Sequence, residues 1–244
     1  MSNTKAAMVK KTPKKAAPKK KKVNRPSMGG DASNSKDECA LKGAGVDLAV
    51  TGEPIIHQDG TRLLPIGKAE NGDELFLAED PITWRQYLAF CAASGYPKPD
   101  LPTFFGELEI LAGTYLDHPV VNVSFIDAMN YCAFYGLDLP TEDEWLQAAK
   151  HPEGAYPWGK DEPSKEHLNC AEFGPGKTTP VGNYPKGNGK YGHHDLAGNV
   201  WEWCRNKEDK PADFVDPAGP LAALKSATAG TAGAAGASDS APTP

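Results

Sequence analysis

Carboxylates, thiols and imidazoles are the groups in this sequence able to hold a cation, attack a substrate or move a proton. One stretch gathers several of them: His193 to Trp203, HHDLAGNVWEW. Asp195, Gly198 and Asn199 carry turn chemistry, and Val200, Trp201, Glu202 and Trp203 then alternate as a short β-strand does. On such a strand Trp201 and Trp203 share one face, and Val200 and Glu202 the other. Two carboxylates, Asp195 and Glu202, bracket the turn, which makes it an oxygen-rich cradle for a hard cation. The same pattern also reads as two core tryptophans with solvated acids.

The remaining candidates are dispersed. Cys39, Cys91, Cys132, Cys170 and Cys204 form no CxxC or CxH pair, so neither a structural zinc site nor a disulfide framework is expected. Free, mostly buried thiols in a reducing, cytoplasmic compartment are the expectation. His57, His118, His151, His167, His193 and His194 show no HxxxH or HxxE helical pattern of the kind that binds a metal.

Charge divides the chain. Residues 1–26 hold ten Lys/Arg and no acid, leaving 16 basic residues against 32 acidic ones in the rest. A tail of +10 thus precedes a body of −16. The Lys/Pro/Ala/Ser-rich residues 1–44 lack the apolar surface to offset chain entropy and are expected to be disordered. Residues 5–25 could contact nucleic acid or another polyanion by counterion release, without sequence readout. Pro18–Val23, PKKKKV, resembles a nuclear-import signal if the host has a nucleus. No stretch approaches the roughly 20 apolar residues that cross a bilayer, so no membrane role is expected.

The elements that must position the chemistry follow from local signals. Leu63, Leu64 and Ile66, then Glu74 to Leu77, read as short strands, with turns at Asp59-Gly60 and Asn71-Gly72. Thr83 caps a helix whose apolar face is Trp84, Tyr87, Leu88 and Cys91. Residues 96–119, with four prolines, read as irregular. Val120, Val121 and Val123 suit a strand, and Ser124 with Asp127 opens a helix carrying Ala128, Met129, Cys132 and Tyr135 inward. Thr141 and Glu144 form a capping box for a third helix, with Trp145, Ala148 and Ala149 inward. After Cys204 the composition turns to Ala, Gly, Ser, Thr and Pro, so 207–244 reads as a disordered tail and the folded domain as 45–206.

Taken together, ITWRQYLAFC, HPVVNVSFIDAMNYCAFYG, LPTEDEWLQAAK, YPWG, TTPVGNYP and YGHHDLAGNVWEW resemble, in order and spacing, the formylglycine-generating enzyme, or sulfatase-modifying factor, family over about residues 60–204. The resemblance implies an α+β variant of the C-type-lectin fold with little regular secondary structure, here truncated at its C-terminal catalytic part. Active members hold copper(I) through two cysteines that follow an RGGS-like strand near the C-terminus. Neither the pair nor the strand is present, and Cys204 matches neither cysteine. Iron-using relatives need a histidine triad, which these histidines do not supply. The resemblance assigns a structural calcium to Asp195, the Gly198 and Val200 carbonyls, and Glu202. A second cation site would use Asn169 and the Cys170 carbonyl, but its downstream acid is missing from the shortened EFGPGKTTP.

The function expected is therefore a non-catalytic binding or scaffold module of this family. The alternatives are an incomplete or degenerate metal-dependent oxidase, of the copper or nonheme-iron type, and polyanion contact through the basic tail.

Overall fold

The structure is a computed structural model, and it describes residues 4–6, 9–11, 52–69 and 72–209. Six strands and four helices appear among them: β1 (Thr4–Ala6), β2 (Val9–Lys11), β3 (Ile55–Ile56), β4 (Arg62–Lys68), β5 (Glu74–Ala78), α1 (Trp84–Ser94), α2 (Glu107–Ala112), α3 (Phe125–Tyr135), α4 (Glu142–Ala149) and β6 (Trp201–Trp203). One sheet is antiparallel in the order β2-β5-β4-β3, and β1 lies parallel to β6 in a second. Strands β1 and β2 fall inside the stretch expected to lack structure. The rest of that stretch, and the tail from 210 onward, lie outside the described residues. No described helix is long and apolar enough to cross a membrane.

The helices start where the capping residues put them. Thr83, Ser124 and Thr141 each accept the N3 amide, from Gln86, Asp127 and Glu144 respectively, whose side chains return to the cap backbone. Helix α2 was not expected. It lies in the proline-rich stretch, and its Leu108 and Leu111 are exposed, so no buried apolar stripe marks it. It forms because the Glu109 carboxylate takes the Gly106 N–H at 2.9 Å.

The valine stretch at 120–123 differs from expectation in the other direction. Val120, Val121 and Val123 are buried, but Asn122 between them is left-handed at φ 61°. That reversal stops a ladder after the single bridge of Thr83 to Pro119.

Aromatic rings dominate the main core. Trp84, Tyr87, Phe90 and Tyr131 are fully buried, and the Tyr87 and Tyr131 rings stack with centroids 5.6 Å apart. Tyr131 was absent from the inward stripe read from the sequence, while Tyr135 is only half-buried. The Tyr131 hydroxyl is satisfied by the Asp59 carboxylate at 2.8 Å. Asp59 also takes the Thr61 N–H at 3.0 Å, the Thr61 hydroxyl at 2.9 Å and His57 Nδ1 at 2.9 Å. Burial pushes this carboxyl up, but the bonds from Thr61, His57 and Tyr131 outweigh it and hold the carboxyl below its usual range. The turn after β3 is thereby tied to α3.

A smaller core of Ile66, Leu75, Leu77, Ala148, Ala149 and Leu196 joins the sheet to α4, with Trp145 packed against it. The β4–β5 ladder is irregular between Pro65 and Gly67, and there Gln147 of α4 donates to the Ile66 carbonyl at 2.6 Å. A Cβ on Gly67, at φ 131°, would stand 2.4 Å from that Gln147 nitrogen, so only glycine fits.

Replacing Tyr131 by Phe removes one donor from a buried carboxylate while keeping the ring stack. We expect a loss of about 1–3 kcal/mol in urea unfolding. Unchanged stability would show that Asp59 does not depend on this bond.

Candidate functional site around the 193–204 loop

Three residues of the loop adopt left-handed backbone conformations: Asp195 (φ 53°), Gly198 (φ 83°) and Asn199 (φ 61°). Asp and Asn tolerate this region better than most residues, and glycine tolerates it freely. Gly198 is required on a second count, since a Cβ there would lie 2.5 Å from the Asn169 carbonyl oxygen. The winding brings the Asn199 N–H onto that same carbonyl at 2.7 Å.

Asn199 does more than turn the chain. Its Oδ1 accepts the Thr179 N–H at 3.0 Å and the Asn169 amide at 3.2 Å, and its Nδ2 donates to the Thr179 carbonyl at 3.1 Å. Asn169 in turn donates to the Lys177 carbonyl at 2.8 Å. Segments near residues 169, 178 and 199 are thus joined through two carboxamides. The sequence reading took Asn199 only as a turn residue; the signal for more was a second asparagine, Asn169, in another irregular stretch.

Downstream, Trp203 packs edge-on against Phe125 with centroids 5.8 Å apart and donates to the Val123 carbonyl at 3.1 Å. Trp201 was expected in the core beside it and is instead 75% exposed. Strand β6 is three residues long, and the core contacts of Val123 and Phe125 are made by Trp203. Beyond the strand, Arg205 pairs with Asp138 at 2.9 Å and its N–H donates to the Pro140 carbonyl at 2.9 Å. These contacts pin the strand end beside the start of α4.

Between β6, α4 and the 169–171 segment lies a cavity of about 890 Å³. Of the six residues expected to bind cations, Gly198, Val200, Glu202, Asn169 and Cys170 line it. Asp195 does not; it is buried, and its Oδ2 takes the Gly182 N–H at 3.3 Å. Trp145, Trp201 and Cys204 complete the wall as residues that spacing alone did not place there.

Three thiols sit in surroundings that oppose ionisation. Burial pushes Cys204 up to about 12, and the charges of Glu202, Glu142 and Glu144 add to it. Burial likewise raises Cys91 and Cys132. Among the described residues, no group of three or more His, Cys, Asp or Glu could hold a metal ion. The histidines have separate partners, as His118 with Thr178 at 3.0 Å and His167 with Ser164 at 2.8 Å.

His193 and His194 shift in opposite directions. Burial drives His193 down to about 4, although Nε2 hydrogen-bonds the Leu77 carbonyl at 3.3 Å. His194 is raised by its 2.6 Å bond to Asp80 against the opposing effect of burial. His193 is therefore neutral in the fold, while its unfolded counterpart protonates near pH 6.5. Below that pH the unfolded chain binds a proton that the native chain refuses, so stability falls as pH drops from 6.5 towards 4. The loss expected from this residue is on the order of 3 kcal/mol. Denaturant titrations across this range should show a shallower decline for His193→Gln, which cannot titrate; identical slopes would discard the assignment.

With this geometry in place, comparison with known proteins is informative. Residues 45–233 match the sulfatase-modifying factor enzyme 1-like domain family. The chain is 36% identical over 126 residues to a formylglycine-generating enzyme of Thermomonospora curvata, covering 43% of this chain and 41% of that one. It is 43% identical over 103 residues to the inactive C-alpha-formylglycine-generating enzyme 2 of Bos taurus, covering 38% and 34% respectively. It is 39% identical over 130 residues to a hercynine oxygenase of Mycolicibacterium smegmatis, covering 50% and 29%. The aligned part spans less than half the length of each of these relatives. Because the family match covers most of its length, the chain belongs to the sulfatase-modifying factor family that includes the formylglycine-generating enzymes.

Proposed function

We propose that this domain is a non-catalytic binding or scaffold module, built on the family's variant of the C-type-lectin fold. The burial of three of its thiols supports this reading. A cysteine acts as nucleophile or soft-metal ligand through its thiolate. Cys91, Cys132 and Cys204 are all held in the thiol form by burial. The cavity supports binding: its volume falls within the range of small-molecule sites, and Trp145, Leu196, Val200 and Trp201 give it apolar walls beside the polar Asn169, Asn199 and Glu202. An inactive protein among the relatives is consistent with this reading.

The second reading is a metal-dependent oxidase, favoured by relatives named formylglycine-generating enzyme and hercynine oxygenase. The two are separated by loading the full chain with copper(I), or in a second arm iron(II), under anaerobic conditions. Dioxygen and a cysteine-containing peptide are then added. We expect no peptide oxidation above a metal-only control, read by mass spectrometry; turnover above that control would replace the module with the enzyme.

At the loop, we propose one calcium ion held by the Glu202 carboxylate with the Gly198 and Val200 carbonyls, joined by the Asp195 carboxylate once it leaves the Gly182 N–H that it accepts in this structure. The donor set is all oxygen, as calcium requires, and the left-handed residues Asp195, Gly198 and Asn199 wind the backbone between the two acids. Bound there, calcium would supply a cross-link between the loop and β6. Calcium should raise the melting temperature of the chain, and Glu202→Ala should lose most of that rise. Equal rises in both proteins would remove the site.

A further inference from the structure

The resemblance gives the Asn169 side-chain oxygen and the Cys170 carbonyl to a second cation. In the structure both oxygens face the same residue, Gly174. The Gly174 N–H donates to the Cys170 carbonyl at 2.7 Å, closing one turn across Cys-Ala-Glu-Phe-Gly. The Asn169 carboxamide is oriented by its nitrogen, which donates to the Lys177 carbonyl and to Asn199 Oδ1. Its oxygen is therefore set against Gly174. A Cβ added to Gly174 would lie 1.8 Å from Asn169 Oδ1 and 2.7 Å from the Cys170 carbonyl oxygen.

Two hard oxygens that would converge on a cation thus converge on a glycine. Calcium needs six to eight oxygens at about 2.3–2.6 Å, usually with carboxylates among them. The single acid of this turn, Glu172, is exposed. The residues present do not fit a second cation.

We infer that the Cys170–Gly174 turn stands in place of that cation, and that residues 169–174 are fixed without calcium. The Gly174 N–H supplies to the Cys170 carbonyl the positive pole that an ion would have supplied, and the Asn169 oxygen packed against the same glycine leaves no room for a side chain at 174. Any larger residue would push the Asn169 oxygen aside and disturb its bond to Asn199. Segment 169–174 then keeps the cavity wall in place whatever the calcium concentration. This inference concerns only the second set of oxygens and does not require the Asp195–Glu202 site.

The test uses the full chain stripped with a chelator and returned to calcium by equilibrium dialysis, with bound calcium measured by atomic emission. We expect at most one calcium per chain, lost in Glu202→Gln and retained in Asn169→Ala. Gly174→Ala should melt lower, and by the same amount in chelator as in calcium. If that variant does not fold, Asn169→Ala provides the same comparison. Two calcium ions per chain, or one that survives Glu202→Gln and disappears in Asn169→Ala, would overturn the inference. No bound calcium at all would uphold it while removing the loop site proposed above.

Discussion

Three stretches of chain with no helix or ladder to hold them, around residues 169, 178 and 199, meet at one carboxamide. The Asn199 side chain accepts from Thr179 and Asn169 and donates back to Thr179, and its own N–H reaches the Asn169 carbonyl. A side-chain amide has both donors and acceptors, so it can replace a strand partner on either side of it. Most of the chain from 150 to 200 has no regular secondary structure, and its buried backbone groups must be satisfied one by one. This link joins the 169–171 wall of the cavity to the loop that leads into β6.

The capped helices were legible because their signals are local. Thr83, Ser124 and Thr141 announce helices through hydrogen bonds made within four residues, and all three helices begin where expected. Strands β4 and β5 were readable from their apolar runs and the turn residues that flank them. What failed were inferences that needed tertiary context. A period of two puts Trp201 and Trp203 on one face, but it does not say how far the core extends beneath that face. Helix α2 carries its leucines outward, so the pattern that normally reveals a helix is missing. Asn122 ends a ladder that three valines would otherwise favour.

The site was half legible. Spacing singled out Asp195 and Glu202, and the resemblance added the Gly198 and Val200 carbonyls. Spacing could not show that Trp145 and Cys204 would complete the same cavity, since Trp145 arrives through α4 and Cys204 looked like an isolated thiol. Nor could it show that the Cys170 carbonyl would be satisfied by Gly174, because that depends on the conformation of a short loop. The ionic setting of Cys204 is likewise tertiary: Glu142 and Glu144 reach it from another helix.

The contact between Gln147 and the bulge at Ile66–Gly67 has a mechanical meaning. It ties α4 to the hairpin through one side chain, packed against the position where the hairpin carries a glycine. Trp201, three-quarters exposed on a strand of three residues, lines the same cavity. The cavity wall therefore joins a helix tied to the hairpin with an indole that solvent already reaches.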